Sequence, residues 1–157
     1  MRIVVFVSLA LVCVACNRNL PEYSNIPEVE FLSAASTLSE TNDKTIAFTF
    51  MLYDGDGNVG LEAADTASPF IDEYQQNFYA TPYYIENGVR YKLPYNFSYR
   101  IPRLREEGND KFLKAKVAID FVIATASFPY DSVVFAYYVY DRALNKSNID
   151  TSSVITF

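Results

Sequence analysis

The sequence predicts an all-β domain, and three observations point that way. Apolar residues recur with period two over several runs, turn residues punctuate those runs at short intervals, and no segment carries a convincing amphipathic helix pattern. Near the start of the domain, Val29 and Phe31 alternate with Glu28 and Glu30. Ile46, Phe48, Phe50 and Leu52 then alternate with Thr45, Ala47 and Thr49, so each run has one face to bury. Tyr83 to Ile85 and Val89 to Leu93 flank Glu86-Asn87-Gly88, where Asn-Gly tolerates the positive φ of a tight hairpin. Tyr95, Phe97 and Tyr99 alternate with Asn96, Ser98 and Arg100 until Pro102 and the polar stretch 105–110 break the pattern. Val117, Ile119, Phe121 and Ile123 interleave with Lys116, Ala118, Asp120 and Val122. Residues 133–140 are continuously apolar and read as a strand covered on both faces. A turn over 141–147 leads into a last strand over 149–157. Short strands in this sequence predict a two-sheet antiparallel β-sandwich of the immunoglobulin or fibronectin III type, with a closed barrel as the alternative.

The N-terminus has a different character. After Arg2, residues 3–15 are apolar apart from Ser8, and small residues lead into Cys16. That is the layout of a secretion signal, and it is too short to span a bilayer as a helix. Cys13-Val14-Ala15-Cys16 resembles the lipobox of bacterial lipoproteins, although Cys13 stands where leucine is usual. The resemblance implies cleavage before Cys16 and lipidation of that residue. Each buried methylene is worth about 0.8 kcal/mol, so two or three acyl chains anchor stably where one does not. Residues 1–15 are then the signal peptide, 16–27 the lipidated cysteine with a polar, proline-interrupted tether, and 28–157 the folded domain. Cys13 and Cys16 are the only cysteines, so no disulfide is expected in the domain. The net charge of −6 speaks against nucleic acid or anionic headgroups as partners.

The most chemically loaded segment is Asp54-Gly55-Asp56-Gly57-Asn58-Val59-Gly60-Leu61-Glu62, with Asp65 beyond it. Counted from Asp54 in the manner of an EF-hand loop, Asp54, Asp56, Asn58, Glu62 and Asp65 supply side-chain oxygens and Gly60 a carbonyl, a donor set suited to calcium. Val59 replaces the usual central glycine, Asp65 replaces the closing glutamate, and a strand precedes the loop, so an EF-hand proper is not expected. Two readings stay open: a calcium loop grafted on a β-domain, or a sharp bend in which glycines supply positive φ and aspartates cap backbone amides. Arg103, Arg105 or Arg142 could instead neutralise the carboxylates. The turn at Asp141 to Ser147 adjoins the loop if both lie at one end of the sandwich.

The 13 tyrosines and 12 phenylalanines also allow two readings, core packing or a recognition patch. Phe78, Tyr79, Tyr83 and Tyr84, which adjoin a long polar segment, form the candidate binding surface.

Taken together, the tether, Ile26-Pro27-Glu28-Val29-Glu30-Phe31, the glycine loop and Asp141-Arg142-Ala143-Leu144-Asn145-Lys146-Ser147-Asn148 resemble small envelope lipoproteins of Bacteroidetes bacteria with an immunoglobulin-like domain. The resemblance implies a fold and an outer-membrane location, and it carries no activity. Asn58 stands where an aspartate is common in that group. Surface display there goes with an acidic run after the lipidated cysteine, and Asn17-Arg18-Asn19 implies the periplasmic face instead. Asp65-Thr66-Ala67 and Asp131-Ser132-Val133 resemble the short O-glycosylation sequon of those bacteria.

An enzyme is not expected. Histidine is absent, no thiol is free beyond the lipid site, and Asp54, Asp56, Glu62 and Asp65 crowd one acidic loop rather than facing each other across a cleft. The expected function is a non-catalytic interaction or structural module that contacts another envelope protein or a glycan. The alternatives are a calcium-dependent adhesion or glycan binder and a subunit of a larger secretion or uptake machine.

Overall fold

The computed structural model describes residues 23–40, 43–103 and 112–157. Cys16, the segment 1–15, residues 17–22 of the tether and Arg105 lie outside the described residues. Among the described residues nine strands run in chain order: β1 (Glu28–Leu38), β2 (Lys44–Asp54), β3 (Phe78–Glu86), β4 (Val89–Lys92), β5 (Phe97–Tyr99), β6 (Leu113–Ile123), β7 (Ser132–Val139), β8 (Asp150–Thr151) and β9 (Ile155–Thr156). Among the described residues the only helical pieces are two 3₁₀ turns, Asp72–Tyr74 and Thr125–Ser127.

All pairings between named strands are antiparallel, and they make two sheets. One has the order β1-β2-β6 and the other β4-β3-β7-β8, with β5 following β4 along the same edge of β3 and β9 following β8 along β7. The period-two runs explain the faces. Ile46, Phe48, Phe50 and Leu52 of β2 are fully buried, and so are Val133, Phe135, Tyr137 and Val139 of β7. The Phe48 ring meets Tyr137 at 5.0 Å and Phe135 at 5.9 Å, while Phe50 stacks on Phe78 at 5.4 Å, so the sheets face each other as a sandwich across an aromatic core. A fully buried side chain of this size is worth about 1.5–3 kcal/mol, and in a chain without tryptophan these rings carry the packing.

The Asn87-Gly88 turn forms as its residues dictate, with φ of 51° and 78°. Two expectations need correction. The last strand is broken in two, because an extra residue between Thr151 and Ile155 bulges away from β7. At the break the Ser152 hydroxyl accepts the Phe135 N–H, and the Ser152 N–H donates to the Phe135 carbonyl. The outer face of β7 is only partly covered: Val134 is buried, but Tyr138 is half-exposed beneath the ring of Tyr79 and the ammonium of Lys146. Before β1, Tyr23 packs on Tyr53 and Phe112 at 5.4 and 5.5 Å.

The register sorts the loops into two ends. Residues 23–27, 55–77, 100–103 and 140–149 gather where the tether enters, shown by the Val59–Asp141 and Leu61–Pro102 bridges. The β3–β4 turn, residues 124–131 and Phe157 lie at the far end. There the buried Lys44 ammonium donates to the carbonyls of Phe128 and Tyr130 at 3.1 and 2.7 Å, against the rings of Phe128 and Phe157.

Candidate functional site

The glycine loop and the 141–147 turn do share the tether end. Asp54 closes β2 opposite Leu113 and is 0% exposed. One of its oxygens, Oδ2, accepts the N–H groups of Asn58 and Val59 at 2.7 and 3.1 Å and so reverses the chain. Gly57, at φ 63°, permits that reversal. Val59 then drops into the core at 0% exposure. This explains valine at the position where an EF-hand has glycine: the loop is pinned by an apolar plug. Gly60, at φ 105°, lets the chain pass against the backbone of Pro102, and Leu61 exchanges backbone bonds with Ile101 and Arg103 at 3.0 and 3.1 Å.

The six candidate ligands do not converge as one set. Among the described residues no three carboxylates come together. Asp65 turns to Arg142, to which it is ion-paired through both guanidinium nitrogens, and its Oδ2 also accepts the Glu62 N–H at 2.7 Å. The bonds from Arg142 and then from the Glu62 amide hold the Asp65 carboxyl below the usual carboxylate range. Arg100 clamps this second half of the loop through the carbonyls of Glu62 and Asp65 at 2.6 and 2.8 Å. It also lines an adjacent cleft of about 280 Å³ with Asp65, Phe70 and Gln75.

The first half is different. Asn58 Nδ2 donates to Asp56 Oδ2 at 2.9 Å, and the Asn58 N–H donates to Asp54, so Asn58 ties the two aspartates into one group. Burial, and then the charge of Asp56, push the Asp54 carboxyl up to about 6. Within this three-residue group, Asp54 Oδ1 and Asn58 Oδ1 are buried and accept no hydrogen bond from the protein. An orphaned buried polar atom costs about 1–3 kcal/mol, so two in one loop are a conspicuous expense. Three of the candidates, Asp54, Asp56 and Asn58, thus form a group of oxygen donors, while Glu62 and Asp65 are engaged by the second half of the loop.

In the 141–147 turn, Asp141 is 2% exposed and both its carboxylate oxygens accept from Asn145, at 2.7 and 2.8 Å. This turn holds itself.

The aromatic candidates divide by strand parity. Phe78 is fully buried and belongs to the core, which corrects its place in a binding surface. Tyr79 and Tyr83 face outward on β3, where Tyr79 stacks on Tyr138 at 5.5 Å. Tyr84 stacks on Tyr130 at 3.9 Å and on Tyr91 at 5.2 Å at the far end. Sequence reasoning missed Asn77, Arg100 and Asn148, single polar residues whose side chains bond to backbone across the fold and leave no local pattern. No family model matches the chain, and neither a curated protein nor a solved structure matches it.

Proposed function

We propose that the chain is a lipid-tethered, non-catalytic interaction module of the bacterial envelope, built on an immunoglobulin or fibronectin III-type sandwich. The strand order supports the fold. In the lettering of those domains β1, β2 and β6 act as A, B and E, facing β3, β7 and β8/β9 as C, F and G, with β4 and β5 sharing the C′ edge. Lipidation at Cys16 and an outer-membrane anchor on the periplasmic face belong to the same reading, and a protein or glycan of the envelope is the partner.

The observation that carries it is the seat of the tether. Ser24 accepts the Gly55 N–H at 2.7 Å, so residues 23–27 lie at the loop end, opposite the β3–β4 hairpin. That hairpin exposes Val89 (51%) and Tyr91 (42%) beside the Tyr84–Tyr130 stack. Aromatic residues of this kind make rigid contacts at low entropic cost. Among the described residues, the carboxyl raised toward neutral pH, that of Asp54, is fully buried, which speaks against a role as general acid or base.

Photo-crosslinking in cells tests the reading. A crosslinker replacing Val89 or Tyr91 in the full chain captures a discrete envelope partner, and the capture is lost with Cys16→Ala. Capture only from positions near Thr66, at the tether end, contradicts it.

A further inference from the structure

We infer that the first half of the glycine loop binds one hard divalent cation of the calcium class through the side-chain oxygens of Asp54, Asp56 and Asn58, and that the ion locks the loop to the tether. This goes beyond the interaction-module reading and rests on separate observations.

Acidic residues in a loop are ordinary, and the turn itself is already explained by Asp54 Oδ2, which caps two amides. What the turn leaves over is the argument. Asp54 is 0% exposed, yet its Oδ1 has no donor. The Asn58 carboxamide is held by its Nδ2 bond to Asp56, which leaves Asn58 Oδ1 buried and equally without a donor. Asp56, two residues on, is bonded to Asn58 and raises the Asp54 carboxyl by its charge, and among the described residues no lysine or arginine pairs with either. Arg103 reaches only the backbone carbonyl of Asn58, at 3.5 Å. Two neighbouring acidic side chains and an orphaned amide oxygen present acceptors that the protein leaves unfilled, and every available ligand atom is oxygen.

Oxygen donors without nitrogen or sulfur select hard cations. Two carboxylates balance a divalent charge. Calcium accepts six to eight oxygens in loose geometry and can complete its shell from backbone carbonyls and water, whereas magnesium demands a near-octahedral set and dehydrates reluctantly. With only two charged ligands the site falls in the affinity class of extracellular modules, about 10⁻⁴–10⁻³ M.

The position of the site gives it a role. Gly55, between the two aspartates, donates to Ser24, and a Cβ at Gly55 would lie 2.2 Å from the Tyr23 carbonyl oxygen. The ion therefore fixes the residue against which Tyr23 and Ser24 rest.

The test uses the full chain in detergent, titrated with calcium or magnesium by calorimetry and with terbium by tyrosine-sensitised luminescence. The expected result is saturable binding of one calcium that displaces terbium, with magnesium at least about tenfold weaker. Asp56→Asn weakens calcium binding about tenfold or more, and Asn58→Asp, which adds a ligand charge, tightens it several-fold. Both variants are compared in EDTA to establish that they fold. Hydrogen exchange of residues 23–27 and 54–60 slows on calcium addition. Absence of saturable binding up to about 10 mM, or affinity unchanged in both variants, overturns the site. Equal magnesium affinity overturns the calcium assignment, and unchanged exchange at 23–27 overturns the lock.

Discussion

The side-chain amide of Asn148 pairs with both backbone polar groups of Val29: its Oδ1 accepts the Val29 N–H at 2.8 Å and its Nδ2 donates to the Val29 carbonyl at 2.9 Å. A single side chain thereby takes the place of a neighbouring strand at the open edge of β1. Two such bonds contribute about 1–3 kcal/mol together. Asn148→Ala is expected to lower unfolding free energy by about that amount in denaturant titration, and Asn148→Asp, which keeps the acceptor but loses the donor, to cost at least half as much. An unchanged midpoint in both variants contradicts the bridge.

Asp150 makes the second link along this edge. Its Oδ2 accepts the Phe31 N–H at 2.6 Å and the hydroxyl of buried Tyr137 at 3.0 Å. Burial, and then the charge of Asp150, push the Tyr137 hydroxyl above its ordinary pKa, so it remains a donor throughout the accessible pH range. Tyr137→Phe preserves the ring packing and is expected to cost about 1 kcal/mol. Asp150→Ala strands the Phe31 amide and the Tyr137 hydroxyl, besides freeing the exposed Thr151 N–H, and is expected to cost about 2–4 kcal/mol by the same measurement.

Two glycines of similar φ sign separate strain from steric contact. A Cβ at Gly60 would lie 2.5 Å from the Pro102 oxygen and 2.6 Å from the Arg103 Cα, whereas a Cβ at Gly88 meets nothing within 4 Å. Gly88→Ala is expected to cost only the backbone term, about 1–2 kcal/mol. Gly60→Ala adds a backbone clash and is expected to cost several-fold more in thermal unfolding, enough to displace the Leu61–Ile101 pairing.

Acid should loosen the second half of the loop. The Asp65 carboxyl is held below its ordinary value of 3.8, so its contribution is fully present above that pH and is lost as pH falls through the lower, folded value. NMR titration is expected to show Asp65 titrating below 3.8 and to show it shifted upward in Arg142→Gln. Hydrogen-exchange protection of residues 62–66, taken relative to the intrinsic rate at each pH, should fall at acid pH in the natural chain and be low already at neutral pH in the variant.

Much of this fold was legible because its signals are local. The alternation in β2 and β6 and the Asn87-Gly88 turn depend on neighbours in sequence, and they formed as read. The bulges did not announce themselves. Leu32 in β1 and the extra residue after Thr151 shift the register by one without a glycine or proline, because the partner strand and the Ser152 hydroxyl absorb the irregularity. Phe78 was misread for a similar reason: its parity is fixed by pairing with Val139 across the sheet, not by the polar segment before it. At the candidate site, spacing named the right residue types. It took the tertiary partner Arg142 to divide the loop, drawing Asp65 away and leaving Asp54, Asp56 and Asn58 together.

The anchor underlies the proposed orientation of the domain, and mass spectrometry of the N-terminal peptide of the full chain recovered from membranes tests it most directly. The expected peptide begins at Cys16 and carries the mass of a diacylglycerol thioether with or without an amide-linked acyl chain. A peptide that begins at Met1, or one with an unmodified Cys16 thiol recovered from the soluble fraction, would contradict the lipid-tethered reading.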